Sequence, residues 1–184
     1  MPYGKRSKII LPDGSSLWIN SGSCISYSSD FVAKRKLNVQ GEVYLDVRKD
    51  AAHPFVVKTN RLEVTVLGTS FNVTDYAKDT ETAVVLVQGS VDVKVDEVDV
   101  YNYICWKDDA MNFDGQKLSD VLKSLSRYYN TKIEISGSLK DEKYYGSLDL
   151  NCTLDEVLES ISLATPLSII RQGDEIYITP EKSK

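Results

Sequence analysis

The apolar residues of this 184-residue chain change their period partway along it, so no single uniform architecture can accommodate the whole. Between Leu37 and Val47 the side chains of Leu37, Val39, Val43, Leu45 and Val47 fall on alternate positions, with Asn38, Gln40, Glu42, Tyr44 and Asp46 between them. Successive residues of a strand face opposite ways, so this segment predicts a strand with one core face and one face that is wet or covered by a neighbour. From Leu118 the spacing lengthens. Leu118, Val121, Leu122 and Leu125 stand at i, i+3, i+4 and i+7, the stripe of an amphipathic helix.

Upstream of the change, turn signals recur about every ten residues, the rhythm of an all-β domain. Pro12-Asp13-Gly14 and Asn20-Ser21-Gly22 bracket the strand Leu17-Trp18-Ile19, because proline presets φ and glycine accepts a positive one. Between Leu62 and Val73 the apolar phase moves from even positions (Leu62, Val64, Val66) to odd ones (Phe71, Val73), which predicts a bulge or bend at Leu67-Gly68. Ala83 to Val87 is continuously apolar and predicts a strand covered on both faces. Val39 to Leu45 is echoed 48 residues on by Val87 to Val93, either as a repeat or because glycine between valines is common in β proteins. Val98 to Trp106 reads as one more extended piece, and Lys107-Asp108-Asp109 as a joint.

Downstream, one figure occurs twice. Leu118, Val121, Leu122, Leu125 and Ile133 map onto Leu154, Val157, Leu158, Ile161 and Ile169 at a spacing of 36, so each copy predicts a helix followed by a strand. Asp114 or Gly115 is the expected start of the first helix and Asn130 its left-handed end. The second has a capping box in Thr153 and Glu156, and Ala164-Thr165-Pro166 to stop it. Strands at Met111 to Phe113 and Gly146 to Leu150 precede the helices, and Ile176-Tyr177-Ile178 adds a last strand after Gly173-Asp174. The expected architecture is an all-β domain over residues 1–105, a sandwich or β-roll of about nine short strands. An α+β domain of two β-α-β units follows over 106–184.

Chemistry is scarce in this composition. The net charge is −5, and no stretch concentrates enough Lys and Arg to track a phosphate backbone, which argues against nucleic acid as a partner. Cys24, Cys105 and Cys152 lack metal-ligand spacing and are odd in number, so they are expected to be small buried apolar side chains rather than a zinc site or a disulfide framework. His53 is the sole histidine, and its place before Pro54 suits a turn residue better than a catalytic one. Glu42 and Asp46 share a strand face but stand about 13 Å apart by rise, too far for a paired acid and base. No glycine-rich phosphate loop is present. The eleven tyrosines could line a sugar- or peptide-binding surface or sit as amphipathic rings at core edges, the second being the commoner use. No catalytic residue, metal or cofactor is expected.

Five ordered blocks carry a family resemblance: Leu11 to Ser23, Gly41 to Val47, His53 to Thr59, Val66 to Val73 and Val87 to Val91. Together they resemble the FecR family of anti-sigma regulators. Trp106 to Ile178 is similar to the C-terminal domain found in Bacteroidetes members, a relative of the short N-terminal domain of secretins and TonB receptors. Within the blocks, Gly14, Gly41, Gly68 and Gly89 are expected at turns and bulges and Trp18, Phe55 and Phe71 in the core. The chain departs from the family in a short stretch after Val95 that lacks a Leu-x-Pro-Gly-Glu-like block.

The resemblance implies the periplasmic part of an inner-membrane protein. In such proteins a cytoplasmic segment holds an extracytoplasmic-function sigma factor, and one transmembrane helix follows. The periplasmic part receives a signal from the N-terminal signalling domain of an outer-membrane TonB-dependent transducer. The sigma-binding segment and the membrane helix are expected to lie outside this chain. Partner binding is expected at exposed strand edges, with Leu148, Asp149 and Leu150 and Ile176, Tyr177 and Ile178 as the candidates, because an edge offers unpaired amides and carbonyls to an incoming strand. An extracytoplasmic carbohydrate-binding or adhesion module is the alternative for a β domain rich in Tyr and Trp, and an enzyme dependent on His53 is the weakest.

Overall fold

A computed structural model describes residues 1–79, 82–88 and 99–181. The chain forms two compact units, Met1–Lys107 and Asp108–Lys184, each with its own apolar cluster. The second half of the Val39/Val87 echo, Gly89 and most of the stretch after Val95 lie outside the described residues.

Unit 1 is built on strands β1 (Ser7–Ile10), β2 (Ser16–Ile19), β3 (Cys24–Ser26), β4 (Lys36–Asp46), β5 (Phe55–Lys58), β6 (Glu63–Val66), β7 (Ser70–Asp75) and β8 (Ala83–Gln88), with a helical turn α1 (Phe31–Lys34) between β3 and β4. The long alternating segment is β4, and it organises the unit. Its first half pairs with β3 antiparallel and β5 parallel, its second half with β2 and β7 antiparallel. Leu37, Val39, Val43 and Leu45 face the core beside Leu17, Phe55, Val57, Val64, Phe71 and Val73. The partners change at Gly41, whose φ is +98° and where an added Cβ would stand 2.5–2.8 Å from Ser23 atoms. Only a residue without a side chain lets the β3 end of the chain approach that closely.

One expectation is met and two change here. The phase switch after Val66 is a bend that ends one strand and begins another, since β6 pairs with β5 whereas β7 pairs with β4 and β8. β8 is only half covered: Val85 is buried while Val84, Leu86 and Val87 are intermediate, because β7 is its only partner among the described residues. Tyr101–Ile104 forms a helical turn, α2, and Cys105–Asp108 a 3-10 turn, where an extended piece was expected. Asp99 accepts the Tyr101 amide, and Cys105 and Trp106, adjacent in sequence, are both buried, as a helical turn allows and an alternating strand does not.

Unit 2 runs β9 (Ala110–Lys117), α3 (Leu118–Tyr129), β10 (Lys132–Ile135), β11 (Lys143–Asp149), α4 (Leu154–Ala164), β12 (Leu167–Gln172) and β13 (Glu175–Pro180). Leu118, Val121, Leu122 and Leu125 of α3 and Leu154, Val157, Leu158 and Ile161 of α4 are buried, so both helical stripes face the core. Asn130 ends α3 in the left-handed region, and Thr153 and Glu156 form the capping box of α4. Asp114 and Gly115 do not start α3. They belong to β9, and the helix begins at Lys117 with no side-chain cap. Gly115, at φ +83°, is the extra residue where the β9–β11 register shifts between Tyr144 and Tyr145.

The two β-α-β units do not close as separate parallel pairs. β9 pairs antiparallel with β11, while β10 and β12 lie on either side of β13, parallel and antiparallel to it respectively. Each copy therefore splits its strands between two sheets, and the last strand joins the copies.

Candidate functional site

Among the described residues of unit 2 the strands with an unpaired side are β9 and β11, which pair with each other, and β10 and β12, which pair only with β13. Ile176, Tyr177 and Ile178 lie on β13 and are hydrogen-bonded on both sides, so they are not an edge. A last strand that fills the gap between two copies of a motif becomes its centre. Ile176 and Ile178 are fully buried, and Tyr177 on the opposite face donates to Glu175 Oε2 at 2.6 Å. That carboxylate is held below the usual glutamate range, first by Tyr177 and then by Lys132. Lys132 stands 2.9 Å from Glu134 and 3.0 Å from Glu175, so the outer face of this sheet carries a closed ladder of charge.

The other three candidates divide. Leu148 points into the core and Asp149 outward on β11, a strand with one unpaired side. The Asp149 carboxylate accepts from the amide and the side chain of Asn151, both at 2.9 Å, and these bonds hold it below the usual carboxylate range. Leu150 lies past the strand end, buried, its amide donating to Asp109 O at 2.8 Å. Backbone on β11 is thus the part of this triplet that can meet a partner.

A more exposed edge went unassigned in the sequence. β12 carries Ile169 and Ile170 at 39% and 45% exposure, although its equivalent residue in the first copy, Ile133, is packed against the core. Two adjacent isoleucines in a strand must face opposite ways, so at least one had to leave the core face, and that was the available signal. Leu163, near the end of α4, is 87% exposed.

The residues weighed for catalysis are engaged in turn and cross-strand hydrogen bonds. His53 is exposed, its Nδ1 3.0 Å from Asp50 Oδ2, in a turn where the same aspartate also accepts the amides of Ala52 and His53. Glu42 accepts from Asn20, Asn72 and Thr74 across three strands, and Asp46 accepts from Ser70. Cys105 is buried as expected, but Cys24 and Cys152 are exposed. Tyr128 and Tyr129 tie the β11–α4 loop by donating to Leu150 O and Cys152 O, and burial pushes the Tyr129 phenol up to about 12. No group of three or more His, Cys, Asp or Glu is placed to hold a metal among the described residues.

Residues 2–92 match a family model described as FecR protein, and residues 110–178 match one described as FecR, C-terminal. Two crystal structures of a proposed anti-sigma factor from Parabacteroides distasonis, at 1.65 and 2.50 Å, share 25% of residues with the chain. They superpose with TM-scores of 0.85 and 0.84 over 100% of this chain and 98% and 97% of theirs. No curated protein matches.

Proposed function

The chain belongs to the FecR family, and from that premise we propose that it is the periplasmic signal-receiving region of a transmembrane anti-sigma regulator. In this reading unit 2 takes up the N-terminal signalling domain of an outer-membrane TonB-dependent transducer. Its conformational response is passed to an extracytoplasmic-function sigma factor through a cytoplasmic segment of the regulator. Among the described residues no helix is long and apolar enough to cross a membrane. The chain acts by binding, without chemistry of its own.

The observation that supports this most is the β12 edge. An unpaired strand with exposed Ile169 and Ile170 and no proline or lysine within it has Arg171, paired with Asp155, as its one charged guard against an incoming strand. A partner strand would satisfy its outward amides and cover its isoleucines in one step. β11, which carries Leu148 and Asp149, is the second strand with an unpaired side, although Lys143 stands at its start and Leu148 is buried.

Proline substitution tests the edge. In an antiparallel pair, neighbouring residues direct their amides to opposite sides. Of Ile169→Pro and Ile170→Pro, therefore, one removes a bond to β13 and destabilises the sheet, and the other removes an outward amide. The variant that keeps the wild-type circular dichroism spectrum is expected to lose binding to the transducer domain in calorimetry. Undiminished binding by that variant would remove β12 from the interface.

A further inference from the structure

The face of β4 turned away from its core residues changes character at Gly41. On one side Tyr44 meets Trp18, which was expected in the core, edge-on at 5.3 Å. On the other side lie Asn38 and Gln40, next to Ser26 and Cys24 of β3, with Lys58 of β5 beside Asn38. β5 leaves β4 after Asn38 and β7 joins it only at Gly41, so among the described residues Val39 and Gln40 have no strand on that side. The notch is a cavity of about 290 Å3 whose lining includes Ser26, Asn38, Gln40, Lys58, Thr59 and Asn60.

The notch differs from a plain solvated face in two ways. Glu63 stands directly opposite Lys58 across β5 and β6, the arrangement in which opposite charges pair. Among the described residues, however, the two form no ion pair, and Lys58 lines the cavity instead. The wall that carries it is also held firmly. The Asn60 amide donates to Oδ2 of the fully buried Asp75 at 3.0 Å, and Thr59 Oγ1 accepts the amides of Arg61 and Leu62 at 3.2 Å. On β4, Asn38 Nδ2 donates to Ser26 at 3.4 Å, which leaves the Asn38 side-chain oxygen as an acceptor. The side-chain amides of Gln40 and Asn60 have no partner among the described residues, so each keeps a donor and an acceptor.

We infer that this notch binds a small carboxylic acid that carries hydroxyl groups. The Lys58 ammonium takes the carboxylate in a charge-assisted hydrogen bond. A hydroxyl is both donor and acceptor, and the amides of Gln40 and Asn60 match it in both roles. The volume lies at the lower end of small-molecule pockets, which begin at roughly 300 Å3, so the site takes one ring or one short chain. It lies wholly within unit 1 and owes nothing to the β12 edge, so neither reading falls with the other.

Amide chemical shifts of the labelled chain, followed at constant ionic strength, test the site. The probes are D-glucuronate and D-gluconate, a ring and an open-chain member of the class, with D-glucose and acetate as the hydroxyl-only and carboxylate-only controls. At least one hydroxy acid should give saturable shifts centred on residues 24–26, 38–40 and 58–60, and each control should bind about tenfold more weakly. Losing a charge-assisted hydrogen bond costs about tenfold in affinity and losing a neutral one about fivefold. Lys58→Gln and Gln40→Ala, both at exposed positions, are expected to show those two losses, with circular dichroism verifying the fold. Absence of saturation by both hydroxy acids overturns the assignment. So does either control binding as tightly as the acids, or undiminished binding by Lys58→Gln.

Discussion

Arg35 stands in a run, Ala33-Lys34-Arg35-Lys36, that reads as a solvated basic stretch, yet its side chain is 2% exposed. It occupies the left-handed region at the end of α1 and reaches three separate loops. Nε donates to Asp13 Oδ2 at 2.8 Å, and the terminal nitrogens donate to the carbonyls of His53 and Arg48 at 2.7 Å. The guanidinium lies over the Phe55 ring. Arg35→Met strands the Asp13 carboxylate and is expected to cost about 3–5 kcal/mol in urea unfolding, with little rescue by Arg35→Lys, which cannot reach three partners in one plane. Nothing in the local sequence marks this residue, because its partners are 13 to 22 positions away and only the fold assembles them. Asp75 makes a similar case with a pH signature. Burial pushes its carboxyl up, but bonds from Thr59 and Thr82, the Arg61 charge and the Asn60 amide outweigh that and hold it below the usual aspartate value. A depressed folded pKa adds stability that is present above the unfolded value of about 3.9 and is lost as pH falls through the folded one. The urea midpoint should therefore fall below about pH 4, and less steeply in Asp75→Asn. An equal slope in the variant would assign the acid sensitivity elsewhere.

At the scale of elements, segments with one dominant period were legible and segments whose fate depends on a distant neighbour were not. The alternation of β4, the two helical stripes and the Thr153 capping box are local signals, and each forms the expected element. The segment read as extended up to Trp106 coils instead, since burial of Cys105 together with Trp106 decides there. β13 looked like an edge because it comes last, and pairing with both β10 and β12 is invisible to a reading along the chain. Glycines show the same division. Gly41 permits a bend within an unbroken strand, whereas Gly173 sits in an open two-residue turn at φ +61° with nothing within 4 Å of an added Cβ. Gly173→Ala should cost about 1 kcal/mol, for left-handed strain alone. Gly41→Ala should cost roughly 2–4 kcal/mol, since strain is joined by collision with Ser23. Equal losses in a denaturant series would mean that the Ser23 contact relaxes freely.

For the whole molecule, the two units have separate cores and different kinds of surface. Unit 1 binds its polar residues to one another, as Glu42 does with Asn20, Asn72 and Thr74, and reads as a scaffold. Unit 2 leaves strand edges with exposed apolar side chains unpaired among the described residues, and on that ground the receiving surface is proposed there. The five N-terminal blocks and the duplicated figure were enough to suggest the family, because turns and core positions are written locally. Which edge is open was not, because openness is a property of what fails to pair. Hydrogen exchange of the chain, alone and with the N-terminal domain of the proposed TonB-dependent transducer, tests the central claim most directly. Complex formation is predicted to slow exchange of backbone amides in β12 or β11 and to leave β4 unchanged; no binding, or protection confined to unit 1, would contradict it.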